Sequence, residues 1–306
     1  MTDLRTEIEQ LKKERDAVIL AHTYQPGEVQ DCADFVGDSY GLSLEATRTD
    51  ASLIVFCGVR FMAETAAILN PSRTVLLPEA LAGCPMAGMI SAPELEGLKK
   101  QYPDHAVMCY VNSTAEIKAL ADVCCTSSNA LAIAKKLPPE RGIIFVPDRH
   151  LGSWIEEQTG RTMILWDGFC PTHLRITPEM ITASRREHPA AAVLIHPEAP
   201  RECRILADAV LSTGGMCTYV ENSDKREFII ATETGLVHTL RKNTPGKSYY
   251  PVSDEVTCPN MKRGSLISVR NALAGTGGEK IVIDHEIAAK ALRSLERMLA
   301  LSGDGK

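Results

Sequence analysis

Three cysteines in the chain are each followed by proline, at Cys84-Pro85, Cys170-Pro171 and Cys258-Pro259, and each closes one copy of a repeated unit. A thiolate is a nucleophile or a soft metal ligand, so three of them in equivalent places point to one shared metal centre. Three thiolates suit a zinc site completed by a fourth ligand, for which His173, three residues after Cys170, is the candidate. They equally suit a [4Fe–4S] cluster with one iron left open. The chain has ten cysteines and no C-x-x-C pair, so any ligands must be gathered from distant segments. In the reducing compartment expected for this protein the remaining seven, Cys32, Cys57, Cys109, Cys124, Cys125, Cys203 and Cys217, read as buried and inert.

The elements that must position these thiols form an internal triplication. Three apolar runs end in a polar residue: AVILAH at Ala17–His22, AVMCY at Ala106–Tyr110 and AAVLIH at 191–196. Counted from His22, Tyr110 and His196, the residues two further on are Tyr24, Asn112 and Glu198. Eleven and twelve residues on, every copy reads Ala-Asp, at Asp34, Asp122 and Asp208. Seventeen residues on, every copy has a hydroxyl, at Ser39, Ser127 and Thr213. The Cys-Pro pair follows 60 to 62 residues after the start of the count.

Within each copy, strand-like and helix-like stretches alternate. The second copy has strands at 105–110, 123–125, 142–147 and 162–166. The fold class is therefore α/β: three pseudo-threefold-related domains, each a four-stranded parallel sheet with helices on both faces. The expected boundaries are 1–83 plus 260–306, 84–169 and 170–259. The last segment, a helix at 266–274, a strand at 280–284 and a helix at 286–301, is expected to complete the first domain. Units under ~90 residues need one another's surfaces to be stable.

Ligands of parallel sheets bind beyond the carboxyl ends of the strands. His22, Tyr24, Tyr110, Asn112, His196 and Glu198 fall there. The hydroxyls fall where helices begin, and three such helix starts converging suit a substrate with several anionic groups. His22 and His196, at matched positions, read as functional. His105, His150, His188, His238 and His285 read as surface or structural.

A net charge of −6 over 306 residues argues against nucleic acid or an anionic membrane as partner. No segment approaches the ~18 apolar residues of a membrane span, and the N-terminal stretch is charged, so a cytoplasmic location is expected.

In order along the chain stand AHTYQ at 21–25, GDSYGLS at 37–43, GVRFMAE at 58–64, GCPMA at 83–87, YVNS at 110–113 and CTSSNA at 125–130. DGFCPTH at 167–173, HPE at 196–198, STGGM at 212–216 and CPNM at 258–261 follow. This ordered set resembles the quinolinate synthase family. The resemblance implies one [4Fe–4S] cluster held by Cys84, Cys170 and Cys258. It implies condensation of iminoaspartate with dihydroxyacetone phosphate to quinolinate, with release of phosphate and water, in NAD biosynthesis. It implies substrate contacts from His22, Ser39, Tyr110, Val111, Asn112, Ser127, His173, His196, Pro197, Glu198 and Thr213, and functional coupling to the enzyme that makes iminoaspartate. The chemistry needs a base, for which Glu198 is the candidate, with His22, Tyr24 and His196 donating or orienting protons. The open iron is expected to act as a Lewis acid on a departing hydroxyl. Longer members carry further cysteines near the last ligand where Val252 and Glu255 stand here, so no redox switch is expected.

Overall fold

The computed structural model describes residues 3–303; positions 1, 2 and 304–306 of the expected first domain lie outside the described residues. Among the described residues thirteen strands follow in chain order: β1 Ala17–His22, β2 Phe35–Gly37, β3 Leu53–Cys57, β4 Thr74–Leu77, β5 Ala106–Tyr110, β6 Val123–Cys125, β7 Ile143–Val146, β8 Met163–Leu165, β9 Ala192–Ile195, β10 Ala209–Val210, β11 Glu227–Ala231, β12 Ser248–Pro251 and β13 Glu279–Lys280. They form three sheets, ordered β2-β1-β3-β4, β6-β5-β7-β8 and β10-β9-β11-β12, all parallel within those sets. The central strands β3, β5, β7 and β9 are buried along their whole length, as expected of parallel strands covered by helices on both faces.

The repeated Ala-Asp has a structural job. Asp34 accepts a hydrogen bond from Ile19 N at 2.8 Å, Asp122 from Val107 N at 2.8 Å and Asp208 from Val193 N at 2.7 Å. Each carboxylate thus clamps the first strand of its unit to the connection entering the second.

A second threefold pattern joins the units. Eight residues past the reference position stand Gln30, Lys118 and Arg204, all buried. Each donates within its own unit, to Gln25 O at 2.9 Å, Ser113 O at 2.7 Å and Ala199 O at 3.0 Å. Each also reaches the preceding unit in cyclic order, at Gly235 O (3.1 Å), Phe61 O (3.2 Å) and His150 O (2.9 Å). These donors satisfy loop carbonyls that burial removes from water. They fix the loops after β1, β5 and β9 against their neighbours.

The last segment differs in part from its expected course. Helix Leu266–Ala274 packs on the first unit, against Leu4–Glu14. The tail strand β13 is short and antiparallel to β4, making the first sheet five-stranded. Past Lys280 one more bond joins it to β4, Ile281 N to Val75 O at 3.0 Å, before Asp284 caps the final helix, accepting from Glu286 N and Ile287 N. That helix, His285–Ser302, lies chiefly on the second unit, against Ala115–Leu120 and β6, with Ser294 Oγ donating to Lys118 O at 2.8 Å. Among the described residues no helix is long and apolar enough to cross a membrane. All ten cysteines are free.

Candidate functional site

The carboxyl ends of β1, β5 and β9 open onto one cavity of about 280 Å³. Of the residues singled out from sequence, His22, Tyr24, Ser39, Tyr110, Asn112, Ser127, His173, His196, Glu198 and Thr213 line it, together with Cys84, Cys170 and Cys258. Val111 and Pro197 fall outside this lining. Val111 borders a smaller neighbouring hollow, and the Pro197 carbonyl accepts from Arg204.

The two matched histidines are held alike. The Nδ1 of His22 accepts from Tyr24 N at 3.1 Å, and that of His196 from Glu198 N at 3.3 Å. This fixes the tautomer with the proton on Nε2, where His196 donates to Ser127 Oγ at 3.2 Å. Burial pushes the pKa of His22 down to about 4 and of His196 to about 3. Both imidazoles are therefore neutral hydrogen-bond donors near pH 7, not cations.

Glu198 is 3% exposed. Burial opposes its ionisation, but the His173 imidazole and the hydrogen bonds from His173 and Tyr110 outweigh it, holding the carboxyl below the usual range. His173 Nδ1 lies 2.7 Å from Oε2, and the Tyr110 hydroxyl donates to Oε1 at 2.5 Å. Burial, and the facing Glu198 charge, push Tyr110 well above the ordinary phenol range.

From Glu198 a file of polar groups runs across the units. His173 Nε2 meets Thr232 Oγ1 at 2.8 Å, Thr232 meets the Tyr24 hydroxyl at 2.7 Å, and Tyr24 meets Thr213 Oγ1 at 2.8 Å. With His173 donating from Nδ1, the hydroxyls point their protons one way, from Thr213 toward His173. The +17 hydroxyls are not helix caps. Asp38 and Ser212, one residue earlier, accept from Gly41 N and Gly215 N, which leaves Ser39 and Thr213 as the first residues of their helices. Asn112 Oδ1 is buried without a partner, an acceptor left for a bound molecule.

Sequence reasoning missed Asp38, Thr232, Glu233 and Asp148. Asp38 accepts from Ser128 Oγ at 2.6 Å and from Gly214 N at 3.2 Å, tying all three units together at the cavity. Asp148 and Glu233 stand two residues beyond β7 and β11, so extending the repeat comparison past the third strands would have paired them. Burial, with Glu198 nearby, holds the Asp148 carboxyl well above its ordinary value.

The donor set fits a metal centre. Cys84, Cys170 and Cys258 come from three separate loops and are half-buried toward the cavity, whereas six of the other seven cysteines are buried. Burial pushes the Cys84 thiol up to about 12 and Cys170 well above the usual thiol range, so thiolates here call for a bound cation. Cys170 Sγ, His173 Nδ1 and a Glu198 oxygen also lie within 4.8 Å of one another, close enough to share one ion. Three thiols alone leave zinc and iron–sulfur both open.

Residues 6–300 match the family model described as "Quinolinate synthetase A protein". The chain is 50% identical to a quinolinate synthase of Dehalococcoides mccartyi (strain CBDB1) over 292 residues, covering 95% of this chain and 96% of that one. It is 50% identical over 299 residues to the quinolinate synthase of Desulforudis audaxviator, covering 98% of each. It is 49% identical over 298 residues to that of Methanoregula boonei, covering 97% and 98%.

Proposed function

The chain belongs to the quinolinate synthetase A family, and from that premise we propose that it condenses iminoaspartate with dihydroxyacetone phosphate to quinolinate. Phosphate and water are released, and the product feeds NAD biosynthesis. The observation that carries the reading is the meeting, in one cavity, of Cys84, Cys170 and Cys258 from three units with the ionised Glu198 and the hydroxyls of Ser39, Ser127 and Thr213. The three cysteines would hold a [4Fe–4S] cluster. Bound there, such a group supplies a Lewis-acidic iron to a substrate oxygen.

The chain's own groups account for the rest. Substrate carboxylates and phosphate fit the hydroxyls and backbone N–H groups at Ser39, Ser127 and Thr213. Asn112 Oδ1 accepts from the substrate nitrogen or hydroxyl. His22 and His196 donate from Nε2 and orient carbonyl oxygens without carrying charge. Glu198 removes the proton next to the carbonyl or imine. The two donors that keep it ionised also weaken it as a base, so it gains basicity when a bound substrate draws the Tyr110 or His173 proton onto itself. The file Thr213–Tyr24–Thr232–His173 then returns protons to the site.

The test is anaerobic incubation of the full chain with iminoaspartate and dihydroxyacetone phosphate, followed by mass detection of quinolinate. Product from a brown protein that bleaches with dithionite supports the reading, and a loaded protein that forms none overturns it. The closeness of Cys170, His173 and Glu198 favours a second reading, a zinc lyase on the same scaffold. A colourless protein with stoichiometric zinc would establish that one instead.

A further inference from the structure

Glu233 follows Thr232 of the polar file in the chain and is fully buried at the cavity wall. Its Oε1 accepts the backbone N–H of Cys258 at 3.1 Å, and its Oε2 that of Gly235 at 2.7 Å. Lys262 Nζ pairs with the same carboxylate at 2.8 Å and, in addition, donates to the carbonyl of Tyr24 in the first unit at 2.5 Å. The Lys262 backbone N–H in turn closes a turn onto Cys258 O at 3.2 Å. The junction is tight. A Cβ on Gly235 would lie 2.6 Å from Lys262 Nζ, 2.8 Å from Glu233 Oε2 and 2.8 Å from Tyr24 Cα, so only glycine fits between them.

The repeat shows that this arrangement is particular to one thiol. Register pairs Cys57 with Ala21, Val146 with Cys109 and Ala231 with Ile195, so Val59, Asp148 and Glu233 are equivalent positions. Val59 has no carboxylate to offer Cys84. Asp148 likewise takes a hydrogen bond from the Cys170 backbone, but its Oδ2 has no partner. Only Glu233 combines a bond to a cysteine's backbone with a lysine.

We propose that Glu233 and Lys262 are positioning residues for the metal centre: the carboxylate fixes the backbone of Cys258, and the ammonium ties that loop to Tyr24 across the boundary between the third and first units. The pair therefore couples the geometry of one thiolate to the tyrosine that stands in the polar file. Because the two charges are opposite and both lie beside one ligand, they act on the centre with opposite sign. This inference rests on the reading of Cys84, Cys170 and Cys258 as cluster ligands.

The test uses the full chain, reconstituted anaerobically with iron and sulfide, as wild type, Glu233→Gln, Lys262→Met, the double variant and Glu255→Gln. Glu255 is an exposed carboxylate three residues before Cys258. Two quantities are read: the reduction potential of the centre and the rate at which a chelator bleaches it. Glu233→Gln leaves the ammonium unopposed and raises the potential. Lys262→Met leaves the carboxylate unopposed and lowers it. The double variant returns toward wild type, and Glu255→Gln changes neither quantity. Bleaching accelerates about tenfold or more in both single variants, the usual loss when an outer partner of a metal ligand is removed. Shifts of the same sign in the two single variants, no shift in either, or an equal shift in Glu255→Gln overturns the inference. If Glu233→Gln fails to fold, the downward shift of Lys262→Met decides. A wild-type chain that takes up no visible chromophore overturns the cluster reading and this inference together, whereas a loaded wild type with unshifted variants overturns this inference alone.

Discussion

Lowering the pH should destabilise this protein through two particular histidines. His22 and His196 are buried and neutral, with values of about 4 and about 3 when folded against 6.5 for a free imidazole. A folded value below the unfolded one means that the unfolded chain binds the extra proton. The stability contributed by the neutral rings is complete above pH 6.5 and falls as pH drops toward 4. Between pH 7.5 and 5 each ring removes about 2 kcal/mol of stability, about 4 kcal/mol for the pair, set by proton uptake on unfolding. The window excludes Glu198, whose lowered value makes its contribution disappear only below its unfolded value of 4.5. The assay is urea unfolding of wild type and of His22→Gln/His196→Gln, kept anaerobic, at both pH values. Other titrating groups are common to both proteins and cancel in the difference. Wild type should lose about 4 kcal/mol more than the double variant, and each single variant should recover about half. Equal losses in wild type and double variant would refute the claim that these imidazoles are neutral donors in the folded protein.

Alanine at Cys84, Cys170 or Cys258 should each abolish the visible absorption of the reconstituted protein and its turnover; full iron and sulfide in any one variant removes that cysteine from the ligand set. Glu198→Gln should keep the metal centre but lower turnover by about 10²- to 10⁴-fold, since it replaces an ionised base with a neutral amide. Near-normal turnover places proton abstraction elsewhere. Asp122→Ala strips Val107 N–H of its acceptor and should cost about 1.5–3 kcal/mol, read from the urea midpoint. An unmoved midpoint rejects the clamp.

Much of the architecture was legible because some jobs are local and stringent. Asp34, Asp122 and Asp208 each accept from a backbone N–H fifteen residues back, a geometry that a short carboxylate meets and a longer one overshoots. Identical residues therefore recur at identical offsets. The Cys-Pro pairs and the +17 hydroxyls recur for a similar reason, and all six side chains line the cavity.

Gln30, Lys118 and Arg204 show the opposite case. They perform one task at one offset, yet any long donor that reaches two carbonyls will serve, so no shared letter marks them. Asp148 and Glu233 differ by a methylene and share their place with Val59, which hides the register from a reader of residues alone.

By itself, then, the sequence determined the threefold repeat, the strand and helix order of each unit, and the three thiols as a set. Tertiary structure alone decided which atoms meet. Tyr24 and Thr213 are 189 residues apart, Tyr110 and Glu198 are 88 apart, and Lys262 and Tyr24 are 238 apart. It also carried the final helix from the first unit onto the second. Local propensity and periodicity act over a few turns of chain. Contacts between units depend on how three preformed surfaces settle together, and that is fixed by packing and by the satisfaction of buried polar groups.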